Sequence, residues 1–173
     1  MDEVNAVRKA FSVNPLLAFA AFFSAAFLLL SFALQSGGEL ERSSLEHSAT
    51  FPNGSTYSLT LACTPYEKER GLGGLDYLQD DTGMLFVFEK EVDASFWMKG
   101  MRFPLDIAWL DSQGRVREVE SMLEPCRQDE DCPSYNHLAR YVLEVKAGEA
   151  RQLGVAEGAI VALKNVECPQ TTS

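Results

Sequence analysis

The sequence predicts a mainly β protein: a compact sandwich or barrel-like domain of about seven short strands with one or two short helices, preceded by a single transmembrane helix. Three observations carry this. Short apolar runs separated by close turns fill the chain from residue 51 onward, residues 10–38 hold no charged side chain, and all four cysteines lie beyond residue 60.

The uncharged stretch comes first. Residues 15–34 read PLLAFAAFFSAAFLLLSFAL. As a helix, such a run spans about 30 Å, the thickness of a bilayer's hydrocarbon core. Asn14 and Pro15 suit a helix start. The run is long for a cleaved signal peptide, and its exit, FALQSGG, matches a cleavage site poorly, so an uncleaved signal anchor is expected. Arg8 and Lys9 precede the run and Glu39 and Glu41 follow it. The positive-inside tendency then puts residues 1–14 in the cytoplasm. Residues 35–50 read as a linker, 51–168 as an extracytoplasmic β-domain in the periplasm or on the outer membrane face, and 169–173 as a tail.

Charge sharpens this division. The 173 residues carry a net charge of −10. Asp2, Glu3, Arg8 and Lys9 cancel, so the whole deficit belongs to the outer part. Such a surface argues against nucleic acid as a partner, because neutralising phosphates needs a basic face. With only two histidines, a His-rich metal centre has little to draw on.

The cysteines agree with an oxidising compartment. Cys126 and Cys132 flank RQDED between Pro125 and Pro133, so local closure is easy. By elimination Cys63 pairs with Cys168, tying the first strand to the last. C-x5-C is poor zinc spacing, and no C-x-x-C redox motif occurs.

Within the outer domain, TYSLTLAC at 56–63 alternates as a half-buried strand. Asn53-Gly54-Ser55 before it is a turn and a glycosylation sequon. Thr64-Pro65-Tyr66-Glu67 has the pattern of a capping box with proline at the first helical position. Glycines 71, 73 and 74 stop that helix. MLFVF at 84–88, SFWMK at 95–99, LDIAWLD at 105–111 and RVREVESM at 115–122 read as further strands, with Ser112-Gln113-Gly114 as a hairpin turn. RYVLEVK at 140–146 and AIVALKNV at 159–166 complete the set. One helical turn is expected at 149–153, between Gly148 and Gly154.

The path ERGLGGL, DTGMLFVF, FWMKGMRFPLDIAWLD, PC…CPSY, ARYVLEVKAGEA and GAIVAL resembles a widespread prokaryotic family of conserved membrane or secreted proteins, domain of unknown function 192. The resemblance runs from about Leu59 to Val166. It implies a small, mostly β domain, often behind a signal sequence or anchor, and no established activity. The chain departs from the family where Gly73-Gly74 replaces a bulky pair after Arg70-Gly71-Leu72, and where Gly100-Met101 replaces Asn-Thr after Trp-Met-Lys.

Asp106 is the most informative polar residue, because a carboxylate inside PLDIAWL must find a cation or several N–H donors, or stay protonated. Lys99, Arg102 and Arg70 are the cations considered, and a structural ion pair or turn cap is the plainer reading. Trp97 reads first as core. If it is exposed, with Lys99 it makes an aromatic shelf beside a cation, suited to a sugar ring or an anion. Arg70, Trp97, Lys99 and Asp106 together form the expected ligand site. Met98 and Met101 read as packing rather than copper ligands, and Asp129-Glu130-Asp131 as a solvated tip rather than a calcium loop. His137 reads as an exposed loop histidine. No metal or other cofactor is expected. Without a nucleophile elbow or H-E-x-x-H motif, the leading expectation is a non-catalytic binding or envelope-associated module for a small-molecule or glycan ligand. One alternative is a carboxylate hydrolase of envelope glycans, with Glu144 approaching Asp106. The other is a structural partner of another envelope protein.

Overall fold

The computed structural model describes residues 47–127 and 131–169, which belong to the compact unit Glu46–Ser173. The expected anchor at 15–34 lies outside the described residues. Among those residues, no helix is long and apolar enough to cross a membrane.

Seven strands and two short helices follow one another as β1 (Ser48–Thr50), β2 (Thr56–Ala62), α1 (Pro65–Arg70), β3 (Thr82–Phe96), β4 (Leu105–Leu110), β5 (Val116–Leu123), β6 (Tyr135–Lys146), α2 (Glu149–Leu153) and β7 (Ala162–Lys164). They form a single sheet in the order β5-β4-β6-β3-β2-β1-β7. Among the described residues only β2 and β3 are parallel neighbours, and α1 with the loop after it makes that crossover, as parallel pairing requires.

The sheet curls, because its two ends meet. The amide of Val116 donates to Ala159 O, that of Gly158 to Val116 O, and that of Val161 to Gly114 O, at 2.8–2.9 Å. The chain just before β7 thereby pairs with the start of β5. Gly114 makes this contact feasible: its φ is +75°, and a Cβ there would lie 2.3 Å from Val161 O. The outcome is a half-barrel of one sheet rather than two stacked sheets.

The strand total agrees with expectation, but two strands are partitioned differently. The runs expected at 84–88 and 95–99 are one strand, β3, interrupted by a register shift between Val87 and Val92. Trp97 and Met98 lie beyond its end. The seventh strand is β1, formed from a segment that reads as linker. The last strand shortens to Ala162–Lys164, because the residues before it serve the sheet closure.

Each face of the sheet has its own core. Alternation in β4 sends Ala108 and Leu110 to one face, with Leu85, Leu143, Val145 and Leu153. Leu105, Ile107 and Trp109 go to the other, with Leu72, Leu78, Phe86 and Val142. Both faces being covered explains why LDIAWL is buried at every position. Trp109 fills the second core edge-on to Phe96 and His137, and its Nε1–H donates to Ala94 O at 3.0 Å.

The helices form as their ends dictate. Thr64 Oγ1 accepts from the Glu67 amide while the Glu67 carboxylate accepts from the Thr64 amide, a complete capping box. The same carboxylate accepts from the Cys63 amide, and these backbone donors hold it below the usual carboxylate range. Disulfides Cys63–Cys168 and Cys126–Cys132 are both formed, which points to an oxidising, extracytoplasmic or secreted setting. Cys63–Cys168 closes a sequence separation of 105 and Cys126–Cys132 one of 6. Replacing the first pair by serines is expected to cost roughly 5 kcal/mol and the second roughly 2 kcal/mol on chain-entropy grounds. Denaturant titration of the two double variants checks that ranking.

Candidate functional site

A cleft of about 550 Å³ opens between two loops and the end of β6, lined by Tyr77, Leu78, Gln79, Asp80, Phe103, Pro104, Lys146 and Ala147. Leu78 anchors the first loop in the second core, and Thr82 Oγ1 donates to Gln79 O at 2.8 Å. The second loop is tied down where the Ala147 amide donates to Pro104 O. Between these anchors Tyr77 stands 68% exposed. Lys146 pairs with Asp80 across the cleft. Their hydrogen bond raises the Lys146 ammonium and lowers the Asp80 carboxyl. Asp81 and Glu149 add acidic charge around the same ammonium, so the rim offers an aromatic wall, an amide and a neutralised ion pair.

Asp106 lies near this cleft in sequence but turns away from it. It is 1% exposed. Its Oδ1 accepts from the Met122 amide at 2.7 Å and its Oδ2 from the Ala150 amide at 2.9 Å. Backbone N–H groups, rather than Lys99, Arg102 or Arg70, satisfy the carboxylate. The Met122 donor exists because Leu105 pairs with Leu123 and Ile107 with Glu120. That register gives β5 one extra residue opposite Asp106, a bulge with Met122 at φ 57°. The Ala150 donor exists because Gly148, the residue that precedes α2, has no side chain to cap the helix. Asp106 serves as that helix's cap from another strand.

Glu144 is the second buried carboxyl, 6% exposed, and its Oε2 has no hydrogen-bond partner. It sits beside Ile107 and Met84 in the register of β6, while Asp106 pairs with Val145. Cross-strand partners share a face, so Asp106 and Glu144 point to opposite faces of the sheet. The carboxylate pair a glycan hydrolase needs is not assembled from these two. Burial pushes Glu144 up to about 8.

The other expected site residues are scattered at the surface. Arg70 ends α1 and is exposed, as is Lys99. Trp97 is 50% exposed, which corrects its first reading as core: β3 has ended, and Met98 is the residue that turns inward. Lys99 bridges to Cys126 and so lies against the disulfide loop. Asp106, 1% exposed and held by the Met122 and Ala150 amides, is closed off from the exposed Trp97 and Lys99. His137, expected in a loop, belongs to β6, where its ring packs on Trp109 and Nε2 lies 3.2 Å from Glu120 Oε1. The cleft residues escaped sequence reading because they come from three distant segments with no shared local motif. The only hint was the pair of loop aromatics, Tyr77 and Phe103.

Two expectations follow. Asp106→Asn puts an amide donor against a backbone donor and should destabilise the fold by about 2–4 kcal/mol in urea titration. Glu144 has a folded-state pKa above its unfolded value, so the native state holds the extra proton between those values. Its contribution to stability is greatest below pH 4.5 and falls as pH rises toward about 8, by up to ~1.4 kcal/mol per pH unit. Glu144→Gln should remove that slope, as stability measured across this pH range will show.

The sequence and fold have relatives. A protein of unknown function from Novosphingobium aromaticivorans DSM 12444 is 30% identical, with a TM-score of 0.59 over 68% of this chain and 83% of that one. A candidate transcription regulator from Sinorhizobium meliloti 1021 is 29% identical, with a TM-score of 0.59 over 68% of this chain and 92% of that one. No curated protein matches the chain. The profile of DUF192, described as an uncharacterized ACR, matches residues 48–163, most of the chain and nearly all of its described fold, so the protein belongs to the DUF192 family.

Proposed function

We propose that this protein is a membrane-anchored, extracytoplasmic binding module without catalytic activity, and that its ligand is a small neutral, hydroxyl-rich ring such as a sugar. The cleft between Tyr77 and Phe103 carries this reading. Aromatic walls stack against the apolar face of such a ring, and Gln79, Asp80 and Lys146 supply donors and acceptors for its hydroxyls. A strongly anionic ligand suits the rim less, because Asp80, Asp81 and Glu149 surround the single ammonium of Lys146. Asp106 acts one step removed: it fixes α2 and the β5 bulge beside the cleft. Trp97, Lys99 and Arg70 do not line this cleft.

The anchor is the run at 15–34, and the two disulfides support an oxidising side for the domain. The regulator description of the Sinorhizobium relative is not transferred, since a net charge of −10 opposes DNA.

Calorimetric titration of the full-length protein in nonionic detergent with a panel of neutral mono- and oligosaccharides tests the proposal. At least one should bind saturably, with Tyr77→Ala weakening it by about tenfold. A panel without binders, or binding unchanged in both Tyr77→Ala and Lys146→Ala, contradicts it.

A further inference from the structure

The last carbonyls of α2 have no acceptor role within the helix and must find donors elsewhere. Two are met from the helix's own exit: the Gly154 amide donates to Arg151 O at 3.3 Å and the Val155 amide to Ala150 O at 2.8 Å. The other two are met by one residue of the turn between β1 and β2. Asn53 donates its backbone N–H to Leu153 O at 3.2 Å and its Nδ2–H to Gln152 O at 3.0 Å. Asn53 is therefore the C-terminal cap of a helix whose carbonyl it meets across a sequence separation of 99.

The residue after this cap is glycine, and Asn53-Gly54 is the one Asn-Gly pair in the sequence. Such a pair can modify itself. When the Gly54 amide loses its proton, its nitrogen can attack Asn53 Cγ. The N–Cγ bond forms, the Cγ–Nδ2 bond breaks, ammonia leaves and a succinimide remains. Water then opens the ring to aspartate or, at the other carbonyl, to isoaspartate. Both residues are exposed. A Cβ on Gly54 would meet nothing within 4 Å, so no neighbour crowds the ring.

Hydrogen bonds are what oppose the reaction. The Gly54 N–H that must be lost donates to Phe51 O at 2.9 Å. Asn53 Oδ1 accepts from the Ser55 amide at 2.9 Å, and Nδ2 is held by Gln152 O. Both ends of the side-chain amide are tied, and local opening of the turn frees them. The product does not fit back. A carboxylate has no N–H for Gln152 O, and its charge lies at the negative end of the helix. An isoaspartyl link also adds a methylene to the main chain of the turn.

We propose that Asn53 is a self-modification site controlled by the fold: closed to succinimide formation while it caps α2, reactive when the turn opens, and unable to restore the cap once converted. The site shares no residue with the Tyr77 cleft.

The test is incubation of full-length protein in nonionic detergent at mildly alkaline pH, with and without unfolding urea and with both disulfides intact. Peptide mass spectrometry and isoaspartyl methyltransferase labelling read the conversion. Asn53 should convert at least about tenfold faster in urea than in the folded protein, and ahead of every other asparagine in urea. In Asn53→Asp, the Gly154 and Val155 amides should exchange hydrogen about tenfold faster than in the unaltered protein. If Asn53→Asp does not fold, the comparison of conversion rates decides alone. Equal rates with and without urea, earlier conversion of another asparagine in urea, or unchanged exchange in a folded Asn53→Asp overturns the proposal.

Discussion

The carboxylate of Asp106 is the interaction on which the most other features depend. It accepts from Met122 in β5 and from Ala150 in α2, while its own strand, β4, sits between β5 and β6. One side chain therefore holds a β-bulge at one sheet edge and caps the helix that covers a core. Two charge-assisted hydrogen bonds to backbone N–H groups are what make a buried carboxylate tolerable. Without them the left-handed Met122 backbone and the uncapped start at Gly148 each lose their compensation. The chain from Lys146 to Gly148 connects this clamp to the cleft, so a residue that touches no ligand still positions its wall.

A second constraint is closure of the sheet. β5 and the segment before β7 would otherwise present open edges. Pairing of Val116 with Gly158 and Ala159 joins them, and Cys63–Cys168 fastens the end of β2 to the chain after β7. Hydrogen bonds and a covalent link thus act on the chain before and after β7. The buried Glu144 runs against this economy, since its Oε2 is left unpartnered, and burial keeps its proton on far above the usual carboxylate range.

Much of this was legible in residue pattern. The capping box at Thr64–Glu67, the turn at Gly114, the helix between Gly148 and Gly154, and both disulfides follow from local rules, because their causes lie within a few residues or in cysteine arithmetic. The need of Asp106 for donors was also readable, but their identity was not. The sequence offered nearby cations, whereas the fold supplied amides from residues 16 and 44 positions away. The separation of Glu144 from Asp106 depends on register, and one residue of slip would reverse it. Exposure of Trp97 turned on where β3 ended. The cleft arises from segments brought together only by tertiary structure.

Asp106 works inward, as a clamp on Met122 and Ala150. Hydrogen exchange of these two amides in the full-length protein tests it most directly. The clamp predicts that both exchange as slowly as the buried strand amides of β4, and that Asp106→Asn accelerates both while β4 stays protected. Exchange as fast as that of solvent-exposed amides in the unaltered protein, or no change in Asp106→Asn, would contradict it.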